Sequence, residues 1–299
     1  MKWMNYRKIY FSLSGLVIAV GLFSLFRWGL NLGIDFKGGS EIEYRFDRTI
    51  SESDAAKKID ELGFKVNSIQ VAGENTYIIK LPTINEEEKG NITNALKEIY
   101  GANMEELGFN TVGPTIGPEL VKKTIYALVI SASAILIWVA YQFKSIKFGT
   151  SAVLAMLHDS LVVLGLYSLF GHFWGAEVDF LFVTALLTIL SFSVHDTIVV
   201  YDRIREVQKK SQGDIKDLAN HALTETMVRS FNNSMTIVFM LVALILLGGS
   251  TIRWFAVALL VGTISGTYSS PFVAVPILVS WDEIGKKLRR INLKSRFKK

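Results

Sequence analysis

Cysteine is absent from this chain of 299 residues. Its absence excludes disulfides, thiolate catalysis and cysteine-based metal sites, and it leaves the redox compartment undetermined. Charge is also scarce, because Asp, Glu, Lys and Arg make up 20% of the chain whereas hydrophobic residues make up 50%. A single soluble domain with so many apolar residues would normally carry more charge. No repeat, low-complexity segment or nucleic-acid motif stands out, and no nucleic-acid partner is expected.

The hydrophobic residues are concentrated in blocks that are long enough to cross a bilayer, which takes about 20 apolar residues. Such blocks predict six membrane helices, near residues 9–29, 123–142, 148–170, 178–201, 232–249 and 254–280. An even number of spans places both termini on one side. The first span should remain as an anchor, because its apolar core is too long for a cleaved signal peptide.

Basic residues cluster in four segments that this topology places on one face of the membrane. They precede the first span, join the second to the third and the fourth to the fifth, and fill residues 286–299 without an acid. The positive-inside rule makes this face, and therefore both termini, cytoplasmic. A basic tail would also suit acidic lipid or ribosomal RNA, but orientation is the favoured interpretation because no nucleic-acid motif accompanies it.

The only long polar segment, residues 31–119, falls outside the cytoplasm and is predicted to form a small α+β domain. Alternation, capping and turn residues predict strands at 41–46, 66–71, 76–81 and 109–112, and helices at 51–62 and 85–107. The first helix begins with a capping-box arrangement of Ser51 and Asp54. The order βαββαβ is that of a ferredoxin-like domain, interpreted as a contact or moving domain.

The rest of the chain is divided around that domain. Residues 1–30 hold the N-terminus and first span, residues 120–281 a five-helix bundle, and residues 282–299 a basic cytoplasmic tail. A charged link near 202–228 is expected to be helical and to lie along the membrane surface. The junction with the external domain contains Asp35, expected to be structural, and two glycines that would permit a tight exit, Gly38 and Gly39.

One carboxylate interrupts the apolar run of the fourth span. Asp196 lies near its inner end, where a charge costs about 2.5 to 3.5 kcal/mol on insertion scales and therefore indicates a function. Arg229 opens the fifth span at a comparable depth, and the two side chains are predicted to meet if their helices are neighbours. Burial and a guanidinium act oppositely on the proton affinity of a carboxylate, so a change in conformation would switch it. The alternative for Arg229 is a snorkelling interfacial anchor.

Other polar residues lie within the predicted spans. Asp159, near the middle of the third span, is interpreted either as a second relay group or as a partner for a helix dipole. Thr184, Thr188 and Ser191 form one stripe with His195, and this stripe favours helix packing. A proton-relay role for His195 is the weaker interpretation, because a hydrogen bond within the bundle would equally account for a neutral imidazole.

Small residues recur along the last span. Gly262, Gly266 and Ser270 follow one another at intervals of four, a pattern that permits close helix contact. Pro271 comes next, and it predicts a bend that serves either as a hinge or as tight packing.

Six motifs occur in order along nearly the whole chain: GIDFKGG at 33–39, VGPTIGPEL at 112–120, LHDSLVVLG at 157–165, HDTIVVYDRIRE at 195–206, VRS at 228–230 and GTYSS at 266–270. The series resembles the SecF family, which supplies the smaller subunit of the bacterial SecDF protein-translocation accessory complex in the RND superfamily. The resemblance implies an RND-type half with six transmembrane helices and one external α+β domain, in the bacterial inner or plasma membrane.

The resemblance also implies a function and partners. SecF-type subunits work with SecD and the SecYEG channel and use the proton gradient to draw exported polypeptide outward, with protons as the coupling ion and no metal or other cofactor. The family's fourth-span acid, fifth-span base and third-span acid fall on Asp196, Arg229 and Asp159. Two residues depart from the family pattern beside these positions: His195 replaces the usual Asn, and Asn233 replaces the usual Thr. Pro271 replaces a bulky apolar residue.

Three other functions are weighed against a proton-driven subunit. An intramembrane aspartyl protease would also use two carboxylates, such as Asp159 and Asp196, but its GxGD segment is missing. A small-molecule RND exporter would normally carry both membrane halves in one chain. A purely structural docking subunit would tolerate loss of the Asp196 charge.

Overall fold

The computed structural model describes residues 1–101, 103–113, 116–211 and 213–296, with side chains except at 250 and 288–296. After a 3₁₀ turn at Trp3–Tyr6, the elements are α1 (Arg7–Trp28), α2 (Ile34–Lys37), β1 (Gly39–Arg45), α3 (Glu52–Glu61), β2 (Ser68–Gly73), β3 (Thr76–Leu81), α4 (Glu86–Tyr100), β4 (Glu105–Val112), α5 (Ile116–Phe143), α6 (Ile146–Trp174), α7 (Phe180–Lys210), α8 (Ile215–Leu247), α9 (Ser250–Ser269), a π-helical turn (Ser270–Ala274) and α10 (Val275–Arg296). Residues 114–115 of the second motif and 297–299 of the basic tail lie outside the described residues.

The prediction of six membrane helices is confirmed. Within the described residues, six helices are long and apolar enough to cross a membrane: α1, α5, α6, α7, α8 and the continuous run from α9 into α10. About half of the apolar part of α6 and of α7 is buried within the chain, whereas α5 is almost wholly exposed. The centre of the bundle is therefore built from α6, α7 and α9, and their polar side chains are the ones that lie in its interior.

The predicted link at 202–228 differs from the structure. It is not a separate surface segment, because α7 continues to Lys210 and α8 already begins at Ile215. Arg203 on α7 lies 2.6 Å from the Glu225 carboxylate on α8 and also pairs with Glu206 one turn along its own helix. Such ion pairs stabilise helical turns beyond the apolar blocks that hydropathy detects.

The ferredoxin-like order βαββαβ is confirmed in the α/β domain formed by residues 39–112. Its sheet has the strand order β2-β3-β1-β4 with antiparallel pairs throughout, and Ile42 of β1 lies opposite Ile79 and Phe109. Helices α3 and α4 contribute Ile59 and Ile92 to the core, and both side chains are fully buried.

Two local predictions in this domain were wrong. The helix expected to reach residue 107 ends at Tyr100, because Gly101 takes a φ of 105° that a helix cannot continue. Residues 105–112 form β4, which pairs with β1. At α3, Ser51 Oγ accepts from the Asp54 amide, but the reciprocal capping box is found at α4, between Asn85 and Glu88.

The bend predicted at Pro271 takes the form of the π-helical turn. Proline has no N–H to continue the α-helical ladder, and the Val275 amide donates to the Ser270 carbonyl at its end. Upstream, a Cβ on Gly262 would overlap the Ile189 side chain, and one on Gly266 would lie 3.4 Å from Ser193 Cα. These glycines allow α9 to pack closely on α7.

Candidate functional site

Asp196 lies on the face of α7 that packs against α8. Its side chain is 6% exposed. Oδ1 accepts a hydrogen bond of 2.6 Å from Ser230 Oγ. The other oxygen, Oδ2, is buried and has no hydrogen-bond partner within the part of the chain that the structure describes. A buried carboxylate oxygen without a partner is costly, and protonation is one way to lower that cost.

A cavity of about 220 Å³ opens beside this carboxylate. Its walls are His195, Asp196, Val199, Arg229, Ser230 and Asn233. The structure therefore brings together Asp196, Arg229 and His195, and it adds Ser230 and Asn233. Helices α7 and α8 are neighbours, but no ion pair within 4.0 Å joins Arg229 to Asp196 among the described residues, so the two side chains share a cavity without the direct contact that was predicted.

Arg229 also lies beside a second, larger cavity of about 440 Å³, which it shares with Asp202, Arg203 and Glu206. Val199 and Arg229 line both cavities. Arg229, an exposed residue, thus borders both a charged cavity near the ends of α7 and α8 and the space around Asp196. Movement of this one side chain would change what reaches the carboxylate.

Asp159 on α6 occupies a different environment and is fully buried. Three serine hydroxyls donate to it at 2.6 Å each: Ser265 to Oδ1, and Ser193 and Ser269 to Oδ2. His158 Nδ1 lies 3.0 Å from Oδ1. Short O–H···O contacts of this length are typical of an ionised acceptor, so the serines can hold a negative charge in the interior.

The GIDFKGG motif forms the junction between α1 and the α/β domain. Asp35 Oδ2 accepts a 2.8 Å hydrogen bond from the Phe180 amide at the start of α7. Gly38 and Gly39 have φ of 77° and 131°, and a Cβ on Gly39 would lie 2.8 Å from the Leu81 carbonyl oxygen. Only glycine suits this backbone, and Asp35 ties the junction to the helix that carries Asp196.

A buried ion pair fastens the α/β domain to the loop before α7. Lys80 Nζ on β3 lies 2.6 Å from Glu177 Oε2 and 3.5 Å from Glu41 Oε2. Gln70 donates to the other oxygen of Glu177 at 3.2 Å. Burial raises the pKa of Glu41, against the opposing effect of Lys80.

Several of these residues were missed by sequence reasoning. Ser265 and Ser269 are one helical turn apart, so both can face the same acceptor. The same spacing fits close helix packing equally well, and the sequence does not distinguish the two. Ser230 directly follows Arg229 and carries no separate signal. A lone lysine such as Lys80 in a strand normally faces solvent, and nothing in its local sequence reveals its partner.

Comparisons with known proteins agree with the motif series. The family described as "Protein export membrane protein SecD/SecF, C-terminal" matches residues 91–284, and the "SecD/SecF GG Motif" matches residues 23–50. Protein translocase subunit SecF of Thermobaculum terrenum is 40% identical over 296 residues, which cover 93% of each chain. The chain belongs to the SecF family. The SecF subunit of Anaerolinea thermophila is 38% identical over 92% of each chain.

Longer relatives of this SecF-family chain are named SecDF. Protein translocase subunit SecDF of Bacillus subtilis is 33% identical over 97% of this chain but only 39% of its own length. The crystal structure of SecDF from Thermus thermophilus, described as a translocon-associated membrane protein, has a TM-score of 0.85 and 32% identity over 95% of this chain and 39% of that one. The family and the six helices identify a multi-pass membrane protein with a role in protein export and a SecD-related partnership.

Proposed function

We propose that this chain works with SecD to promote export of polypeptides through the SecYEG channel, driven by the proton-motive force. Membership of a family of translocase subunits supports the export role and is consistent with a subunit that is not itself an enzyme. Both termini lie in the cytoplasm of a bacterial cell under this proposal, as the distribution of basic residues favours. The α/β domain then lies on the opposite side, where an emerging polypeptide is found.

One observation carries the proton-coupling part of the proposal. Asp196 is a buried carboxylate with an unpartnered oxygen, and this oxygen belongs to a side chain that borders a cavity shared with Arg229. When Asp196 is ionised, approach of the guanidinium compensates the buried charge; when it is protonated, that compensation is no longer needed. Two positions of α8 relative to α7 therefore correspond to two protonation states, and moving between them converts proton flow into motion.

The test is gradient-dependent export in membrane vesicles that contain this chain, its SecD partner and the channel. Asp196→Asn and Arg229→Met are each expected to abolish the response to the proton gradient while the complex still assembles. Asp217→Asn is a matched control, because Asp217 is an exposed acid in the first turn of α8. It should export like the wild type.

Unchanged gradient-driven export in Asp196→Asn would reject proton coupling at this site. Such a result would favour a structural docking subunit, which needs the fold but not the charge. A variant could also lose export because the complex no longer assembles. The amount of complex purified from the same vesicles distinguishes this outcome from loss of proton coupling in an assembled complex.

A further inference from the structure

The segment of α9 just before the π-helical turn contacts the surroundings of both buried carboxylates. Ser265 and Ser269 face α6 and donate to opposite oxygens of Asp159. Thr267, between them in sequence, faces α8 instead and donates to Ser234 Oγ at 2.6 Å. One helical turn therefore touches two sites that lie on different helices.

Two short routes run from this segment towards Asp196. Ser234 Oγ donates to the Ser230 carbonyl at 3.0 Å, and Ser230 Oγ donates to the carboxylate of Asp196. On the α7 side, the first residue of the π-helical turn, Ser270, has its hydroxyl 2.9 Å from that of Thr197, which follows Asp196 in sequence. Both routes consist of buried or half-buried hydroxyls, whose hydrogen bonds strengthen in a low-dielectric interior.

We propose that Asp159 is a second proton-binding site and a positioning residue for Asp196, coupled to it through residues 265–270 of α9. This inference rests on the proposed function, because it assigns a regulator to the same proton site. The coupling is a free energy between two sites that share one structural element, and it therefore acts equally in both directions.

Three serines surround the Asp159 carboxylate and are called the serine cage: Ser193, Ser265 and Ser269. Their hydrogen bonds supply the mechanism of coupling. An ionised Asp159 accepts from three hydroxyls at once, whereas protonation on Oδ2 turns that oxygen into a donor, so one of the two serines bonded to it must release its contact or turn to accept. Ser269 is suited to leave, because its hydroxyl also lies 3.3 Å from the Gly266 carbonyl. Release of Ser269 frees α9 at the residue that precedes the π-helical turn.

The π-helical turn makes this release consequential. Turns of this kind carry a register that differs from the α-helix on either side, and they occur frequently at functional sites. A change of register at Ser270 would move the hydroxyl that meets Thr197, and it would also rotate Thr267 relative to Ser234. Both contacts lead to Asp196.

The titratable groups around this network are few. His158 adjoins Asp159, and its Nε2 is buried without a partner among the described residues. Tyr268 on α9 has its ring centroid 6.3 Å from that of His158, and its hydroxyl donates to the Tyr10 carbonyl on α1. Around Asp196 the corresponding groups are His195 and Arg229. His158 is the only one of these in contact with Asp159 within the described part of the chain.

Isotope-edited infrared spectroscopy tests the coupling in the full chain assembled with its SecD partner in lipid. The carbonyl band of protonated ¹³C-labelled aspartate is followed against pH, and the Asp196 band is assigned as the one lost in Asp196→Asn. Ser269→Ala keeps the carboxyl group of Asp159 and its contact with Ser265, but it removes the contact with the last residue of α9, which is the contact that protonation is proposed to release. It is expected to change the proton affinity of Asp196 about 5-fold or more, the lower range of allosteric coupling.

Ser191→Ala is the control, since Ser191 is an exposed hydroxyl on α7. It should leave the midpoint unchanged. By reciprocity, Asp196→Asn should change the affinity of Asp159 by the factor that Asp159→Asn produces at Asp196. The inference is overturned if Asp196 titrates at the same pH in wild type and in Ser269→Ala, even if Asp159→Asn shifts the Asp196 titration by a direct electrostatic effect. This result would leave the proposed function standing, because that depends on the export test with Asp196→Asn.

Discussion

Replacing Lys80 by Met is expected to loosen the contact between the α/β domain and the loop before α7. The Lys80 side chain is 11% exposed and that of Glu177 is 16% exposed, so both charges are largely withdrawn from water. Methionine keeps an unbranched apolar stem of similar length and lacks the ammonium. The carboxylates of Glu177 and Glu41 then remain together without their shared cation.

Loss of one partner of a buried ion pair costs about 3 to 5 kcal/mol. The residual exposure of both side chains, and the hydrogen bond that Gln70 still donates to Glu177, reduce this cost to about 2 to 3 kcal/mol. Removing both charges in Lys80→Met/Glu177→Gln should recover most of it, because an uncharged pair leaves no uncompensated carboxylate at that position.

Native-state hydrogen exchange measures this opening directly. The Gly33 amide donates to the Val178 carbonyl at 2.8 Å, and the Val178 amide donates to the Asn31 carbonyl at 2.7 Å, so both join the linker after α1 to the loop that carries Glu177 and report when that loop opens. A cost of about 2 to 3 kcal/mol corresponds to exchange that is about 30 to 150 times faster in Lys80→Met.

Lys89→Met is the matched control. Lys89 also bridges two carboxylates, those of Glu86 and Glu106, but it lies within the α/β domain. It should leave exchange at Gly33 and Val178 unchanged. Equal protection of these amides in wild type and Lys80→Met, or no recovery in the double variant, would refute the reasoning.

Two further predictions concern packing and pH. Gly21→Ala on α1 should destabilise the protein by about 1 to 2 kcal/mol in a denaturant titration, because the new Cβ would lie 3.0 Å from Gly165 Cα, whereas Gly15→Ala has open space and should be neutral or slightly stabilising. Equal effects would contradict the close approach of α1 and α6. Burial, with the nearby Asp35 carboxylate, raises the pKa of Asp179 above 3.8, so the folded state binds more protons just above that pH and stability falls as pH rises. Asp179→Asn keeps a side chain that can cap the helix, so stability at neutral pH should not fall. A titration of the free energy of unfolding against pH should show that the contribution of Asp179 to the pH dependence is lost.

Much of the fold could be predicted from the sequence because its strongest signals are local. Apolar blocks of membrane-spanning length predict six helices in a bilayer whatever their partners are, and alternation and capping residues predict the order βαββαβ. Helix ends were predicted less well, since they depend on neighbours: Arg203 and Glu225 extend α7 and α8, and the φ of Gly101 ends α4.

The same distinction between local signals and dependence on neighbours applies to the candidate site. Asp196 could be identified from the sequence because a carboxylate in an apolar run is anomalous in itself. The cage around Asp159 could not, because Ser193, Ser265 and Ser269 come from two other helices and each is an ordinary small residue in its own segment. Convergence of neutral hydroxyls on one carboxylate is a property of the packed bundle.

Helix α7 connects the junction with the α/β domain to the carboxylate of Asp196. It runs from Phe180 to Lys210 as one helix, with Asp35 bonded to its first amide and Asp196 about 24 Å further along, at 1.5 Å per residue. A displacement of the α/β domain must therefore carry α7 with it, or it must break two contacts. These are the hydrogen bond between Asp35 and the start of α7 and the ion pair between Lys80 and Glu177. If protonation of Asp196 moves α7, the same ion pair transmits that movement outward. Lys80→Met should then reduce gradient-driven export while leaving the protonation of Asp196 intact, a separation that a purely local role for Lys80 in folding of the α/β domain would not produce.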